Sequence, residues 1–284
     1  MRSARSIVGT ARRTCLHRLA EHYFLSFPKS GRTWTKSVLA NYYSIALGIP
    51  LFYDFAPIVR PRARAAVPRI VFTHARHNGT ADDDRAVIES LASKRVVLLI
   101  RRPVDIAQTY YYRLAKRQGR DDVARQDLGS FAVSEDGLPR IVDFLNRWYH
   151  ARDSFAGFHL LCYERCVADP VSRFGDLLRF LGETPDDVAL EEAIRRSRDT
   201  TRKVETGGAT MDRGTVEDIV AGDRIYSGRE GATELERFGG SGKSLLEIVS
   251  PTTARRLQSQ LTALDPGLLR VLNETTIPTE GQHS

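Results

Sequence analysis

The sequence predicts an α/β fold, a three-layer sandwich with helices on both faces of a central, mostly parallel sheet. Three observations predict it. Short β-prone runs alternate with helical patterns from residue 23 to residue 181. The run from Arg95 to Arg101 is apolar throughout its middle, as suits a strand buried on both faces. The first strand passes through a short loop straight into a helix, the geometry at which backbone amides converge on an anion.

Taken in order, Tyr23-Phe24-Leu25-Ser26-Phe27 reads as the first strand, ended by Pro28. From Thr33 the apolar positions Trp34, Val38, Leu39 and Tyr42 recur at helical spacing. Arg69 to Thr73 reads as the second strand, Asp82 to Ser93 as a helix opened by acids, and Arg95 to Arg101 as the third strand. Pro103 occupies a favoured first helical position, and the pattern runs on through Tyr110, Tyr111 and Leu114. Pro139 to Ala151 forms another helix, and Phe158 to Tyr163 a further strand. A helix from Pro170 places Val171, Phe174, Leu177, Leu178 and Leu181 on one face before Gly182 stops it. Thr200 to Lys243 is rich in Gly, Arg, Asp and Thr without periodicity, which suggests either a disordered segment or, the preferred reading, a loop that orders over a ligand. The expected division is a basic segment over residues 1–22, one domain over 23–277 and a tail over 278–284.

With 42% hydrophobic and 27% charged residues, the chain has apolar material for a substantial core, which excludes disorder as the default. A net charge of +7 points to an anionic partner. The arginines are dispersed rather than run together, which argues against a specific nucleic-acid surface. Cys15, Cys162 and Cys166 form no CxxC pair, so neither a disulfide framework nor a zinc site is indicated, and a reducing, cytoplasmic setting is expected. No run approaches the ~20 apolar residues of a membrane span. Arg2, Arg5, Arg12, Arg13 and Arg18 precede the first acid, Glu21, a bias shared with transit peptides; a basic helix leading into the first strand is the preferred reading.

The chemistry-bearing segment is Phe27-Pro28-Lys29-Ser30-Gly31-Arg32-Thr33-Trp34. Gly31 permits close backbone approach, Ser30 and Thr33 offer hydroxyl donors, and Lys29 brings a mobile charge. It is not the usual NTPase loop, because GxxxxGK followed by Ser or Thr is absent. A second anion site is implied where Ile100-Arg101-Arg102-Pro103-Val104-Asp105-Ile106-Ala107-Gln108-Thr109-Tyr110-Tyr111 repeats the strand-end arrangement.

These two segments resemble the PKSGTTW loop and the R-x-P-x-D-x-A-x-S-Y-Y segment of the PAPS-dependent sulfotransferase family. Val67-Pro68-Arg69-Ile70-Val71-Phe72-Thr73-His74 is similar to the family's PR-x-x-KTH strand, and Tyr163-Glu164 with Asp169-Pro170 to its YE-x-x-x-x-DP segment. Four motifs in one order cover the central half of the chain. The resemblance implies the P-loop-like sulfotransferase fold, PAPS as donor and PAP as product, with no metal required. It implies that Lys29, Ser30, Gly31, Arg32 and Thr33 hold the 5′-phosphosulfate and that Trp34 stacks on the adenine. By the same carry-over Arg101 and Thr109 bind the 3′-phosphate, Tyr163 joins the donor-binding set, Lys29 stabilises the leaving group and His74 is the general base, with His77 as a competing candidate.

Three departures stand out. Phe72 occupies the position of the family's lysine before Thr73-His74, and Arg32 replaces a threonine. The nearest match to the family's late RKG-x-x-G segment is Tyr226-Ser227-Gly228-Arg229-Glu230-Gly231, so Gly228, Arg229 and Gly231 are the candidates there, with Arg224 or Arg229 supplying charge. The acceptor is open between a small molecule, a lipid and a carbohydrate; Tyr110 to Arg117 either line its site or pack a helix. An ATP-dependent phosphotransferase and a non-catalytic PAP- or polyanion-binding protein remain the alternatives.

Overall fold

The computed structural model describes residues 17–52, 55, 65–75, 81–206 and 244–274. Its centre is a four-stranded sheet in the order β2-β1-β3-β4, formed by β1 (His22–Ser26), β2 (Ile70–Thr73), β3 (Arg95–Ile100) and β4 (Gly157–Cys162). All three pairings among these strands are parallel. The register sets Leu25 beside Thr73 and Ser26 beside Leu99. The strand order reverses between β1 and β3, because the chain leaves β1 towards β2 and later returns to add β3 on the other side. Ligand clefts of open parallel sheets form at the carboxyl side of such a reversal.

Alternation along the strands sorts the core into two layers. Tyr23, Leu25, Val96, Leu98 and Ile100 face one side, packed under α3 (Pro103–Tyr112) and α6 (Leu138–His150). Against them also lie the carboxyl-terminal helices α10 (Leu245–Ile248), α11 (Pro251–Leu261) and α12 (Pro266–Asn273). Phe24, Val97, Leu99 and Leu161 face the other side, covered by α1 (Arg32–Ala46), α8 (Pro170–Phe180) and α9 (Asp187–Thr206). Helix α2 (Ala81–Ser90) carries the chain from β2 to β3. The short helices α4 (Asp121–Ala124) and α5 (Leu128–Val133) lie between α3 and α6, and α7 (Tyr163–Ala168) follows β4 directly.

The expected three-layer α/β architecture is the observed one, and the helix starts follow local chemistry. In α8, α11 and α12 a proline opens the helix, and the side chain before it, Asp169, Ser250 or Asp265, accepts a hydrogen bond from a first-turn amide. Differences lie at the ends. The helix expected to reach Ser93 stops at Ser90, and a turn closed by the Lys94 amide on the Leu91 carbonyl feeds β3. The helix expected to continue through Leu114 widens at Arg113–Arg117 into a π-helical turn. The aperiodic stretch expected from Thr200 begins later, because α9 extends to Thr206. The rest of that stretch, the basic residues before 17 and the tail over 278–284 lie outside the described residues. Residues 17–19 are helical and stand directly ahead of β1. No helix among the described residues is long and apolar enough to cross a membrane.

Candidate active site at the carboxyl end of the sheet

The carboxyl ends of β1, β3 and β4 bring three distant segments together. Between β1 and α1 the backbone turns twice into the left-handed region, at Lys29 with φ +76° and at Gly31 with φ +99°. Gly31 is the residue before the first turn of α1, so its amide and those of the next residues face the loop. A Cβ placed on Gly31 would lie 2.3 Å from Cδ2 of Tyr163, so the ring and the loop backbone are in closest packing. Ser30 is fully buried, and its hydroxyl oxygen has no hydrogen-bond partner among the described residues. An orphaned hydroxyl in a left-handed loop at a helix start is a donor that an anion would satisfy.

Arg101, one residue past β3, crosses to this loop. Its Nη1 donates to the Lys29 carbonyl at 3.1 Å, and its guanidinium lies 4.8 Å from the centre of the Tyr163 ring. Its Nε is buried and makes no hydrogen bond among the described residues. One donor thus fixes the loop while part of the fork stays uncommitted. Tyr163 meets Trp34 edge to face at 5.7 Å, and Trp34 meets Phe174 in the same way at 5.2 Å. Gly31, Trp34, Arg101 and Tyr163 therefore form one contiguous cluster. Arg32 begins α1 with only 8% exposure, a cation held at the positive end of a helix dipole. Thr33 is exposed beside it.

His74 follows β2 and sits beside the end of β1, as the Leu25–Thr73 register requires. Its Nδ1 is 2.9 Å from the Ser26 carbonyl oxygen and 3.4 Å from the Ser26 hydroxyl. A carbonyl oxygen only accepts, so Nδ1 carries a proton, and in the neutral ring the lone pair is then on Nε2. Ala75 then turns at φ +36°, its amide donating to the Thr73 hydroxyl at 3.0 Å. The ring is thus held through Nδ1 by Ser26, and the backbone turn after it is fixed by Thr73.

Other expected residues are placed differently. The Thr109 hydroxyl donates to the Asp105 carbonyl at 2.6 Å, within its own helix. Phe72 stacks on Phe24 at 4.9 Å, and the Lys36 ammonium lies 5.6 Å from the centre of its ring. A lysine does approach position 72, but it comes from α1. His77, Arg224, Gly228, Arg229 and Gly231 lie outside the described residues. Sequence reasoning missed Ser26 as the partner of His74. It also missed Glu164 as a brace, whose carboxylate accepts from the Arg102 amide at 2.8 Å and from the Cys162 thiol at 3.3 Å. Burial pushes the Cys162 thiol up to about 11, so it stays protonated beside that carboxylate. Burial also raises the Asp105 carboxyl, against the lowering influence of Arg101. Glu164 stands in a motif already singled out, but neither its bracing role nor the part of Ser26 is identifiable without the strand register that brings the partners together. No group of three or more His, Cys, Asp or Glu among the described residues is arranged to hold a metal ion.

Comparison with known proteins places the fold. No family model matches the sequence, and no curated protein matches it. Among solved structures, the chain is similar to mouse sulfotransferase SULT7A1 complexed with PAP, at 15% sequence identity and a TM-score of 0.60. The similarity covers 95% of this chain and 94% of that one. The protein therefore has a sulfotransferase-like α/β fold, built on a four-stranded parallel sheet.

Proposed function

We propose that this protein transfers a sulfuryl group from PAPS to a hydroxyl or amine acceptor and releases PAP. The observation that carries the reading is the hydrogen bond from His74 Nδ1 to the Ser26 carbonyl, at the strand end next to the Lys29–Gly31 loop. It supplies a base with a defined lone pair beside an anion cradle, and a mere phosphate binder has no use for one. The similar mouse enzyme was solved with PAP, and the orphaned Ser30 hydroxyl and Arg101 Nε suit the phosphates of that ligand.

In this scheme Ser30, Gly31, Arg32 and Thr33 hold the 5′-phosphosulfate, and Trp34 and Tyr163 border the adenine side. Arg101 takes the 3′-phosphate with its uncommitted guanidinium edge; Thr109 joins only after its hydroxyl releases the Asp105 carbonyl. His74 Nε2 accepts the acceptor's proton as the acceptor oxygen or nitrogen bonds to sulfur. The bond from sulfur to the bridging phosphate oxygen breaks, its electron pair stays on PAP, and Lys29 stabilises the charge formed there. Arg32 adds a buried cation to the same region, which an arriving anion reconciles with the helix dipole. Positioning and fixed charge carry the reaction, as in phosphoryl transfer.

The test is transfer from radiolabelled PAPS to a panel of phenols, aliphatic alcohols, amines and sugars in EDTA. Acceptor-dependent release of PAP is expected, falling about 10²–10⁴-fold in His74→Asn with PAP affinity unchanged. Undiminished transfer in that variant removes His74 as the base, and phosphoryl transfer from Mg·ATP would replace the donor altogether.

A further inference from the structure

The opposite, amino end of the sheet holds a cleft of about 810 Å³, away from the site above. It is lined by residues at the starts of three strands, His22 of β1, Arg69 ahead of β2 and Arg95 of β3, and by Val67 and Leu181. His22 is 5% exposed, and both of its ring nitrogens are buried without a hydrogen-bond partner among the described residues. A neutral imidazole presents one donor and one acceptor, so two polar atoms here are unsatisfied at once. Burial, then the neighbouring Arg95, push this ring down to about 4, so it is uncharged at neutral pH.

The charged groups of the cleft are not equally committed. Glu21 accepts from the Arg69 amide at 2.9 Å and from its guanidinium at 2.6 Å, which pairs both residues. Glu183 accepts from the Tyr43 hydroxyl at 3.3 Å. The Arg95 guanidinium lies over the Phe180 ring, 4.5 Å from its centre, and donates no hydrogen bond among the described residues. A guanidinium held by an aromatic face and by no hydrogen bond has donors left for a planar oxygen pair. One uncommitted cation, a neutral imidazole and two nearby carboxylates disfavour a dianion such as phosphate. They match a single negative charge.

From this geometry we infer that the cleft is a second ligand site, distinct from the donor site, that takes a small organic monocarboxylate. Its carboxylate pairs with the Arg95 guanidinium and the His22 ring N–H, and its apolar body rests on Val67 and Leu181. Binding in this cleft does not depend on the proposed sulfuryl transfer.

Benzoate is the probe, titrated into the full chain with its histidines carbon-13 labelled and the His22 signal assigned by its loss in His22→Asn. A saturable shift of the His22 ring signal is expected with benzoate and none with benzyl alcohol or inorganic phosphate. Arg95→Gln should weaken benzoate by about tenfold or more. Absence of a shift up to about 10 mM benzoate, an equal shift with benzyl alcohol or phosphate, or an unchanged affinity in Arg95→Gln would each overturn the inference. Should Arg95→Gln fail to fold, the wild-type contrast between benzoate and benzyl alcohol decides the same point.

Discussion

At Gly31 two independent constraints meet. Its φ of +99° is costly for any residue with a side chain, and a Cβ there would collide with the Tyr163 ring that supports Arg101. Gly31→Ala is expected to destabilise the protein by about 1–3 kcal/mol and to weaken PAP by about tenfold or more. Gly48 is the control: its φ is +61°, but nothing lies within 4 Å of a Cβ added there, so alanine should cost stability without touching PAP affinity. Thermal unfolding and calorimetry on both variants separate the effects. His22 supplies a pH prediction. Its ring is held down to about 4 in the fold against 6.5 when exposed, so the unfolded chain binds the extra proton between those values. Stability is therefore complete above pH 6.5 and falls as the pH drops towards 4. Urea midpoints across this range should slope less in His22→Gln than in wild type; equal slopes would contradict the assignment. The loop residues Lys29, Ser30 and Gly31 are legible in the sequence because they are contiguous, and His74 because it ends a strand. Tyr163 is legible through its motif, whereas Ser26 as the partner of His74 and Glu164 as the brace of Arg102 are not, because only the pairing of strands distant in sequence brings them into reach.

At the scale of elements, the strands and the helices α1, α3, α6 and α8 announce themselves by apolar runs, wide apolar stripes and prolines at their starts. Helix α9 does not. Its buried face is Ala189, Leu190, Ala193, Ile194 and Ser197, a narrow stripe of mostly small residues within a highly charged segment. Small side chains let α9 lie close against α1, but among so many charged residues they leave few large apolar positions to read. Leu190 is fully buried in the cluster that also holds Tyr43 and Phe174. Leu190→Ala is expected to cost about 2–4 kcal/mol in denaturant unfolding. A loss below about 0.5 kcal/mol, the range of surface substitutions, would mean that this face is not packed as described. The π-helical turn after α3 is equally illegible, since Arg113–Arg117 continues the apolar spacing of the helix before it.

Over the whole molecule, the strand reversal between β1 and β3 decides where chemistry can occur. It sets the Lys29–Gly31 loop, Arg101 and, one strand over, His74 at a single end of the sheet. The net charge of +7 favours anions generally, and in the proposed function the fixed groups at that end are where one binds. The fold and the order of the motifs are readable because each motif closes a strand, and strands in a parallel sheet all end on the same side. The most direct measurement of the central claim is PAP binding by calorimetry in EDTA, on wild type, Lys29→Ala and Arg101→Ala, with ATP as competitor. PAP is expected to bind wild type, to outcompete ATP and to weaken at least about tenfold in each variant. Failure of PAP to bind while Mg·ATP does, or unchanged affinity in both variants, would contradict a PAPS-dependent donor site.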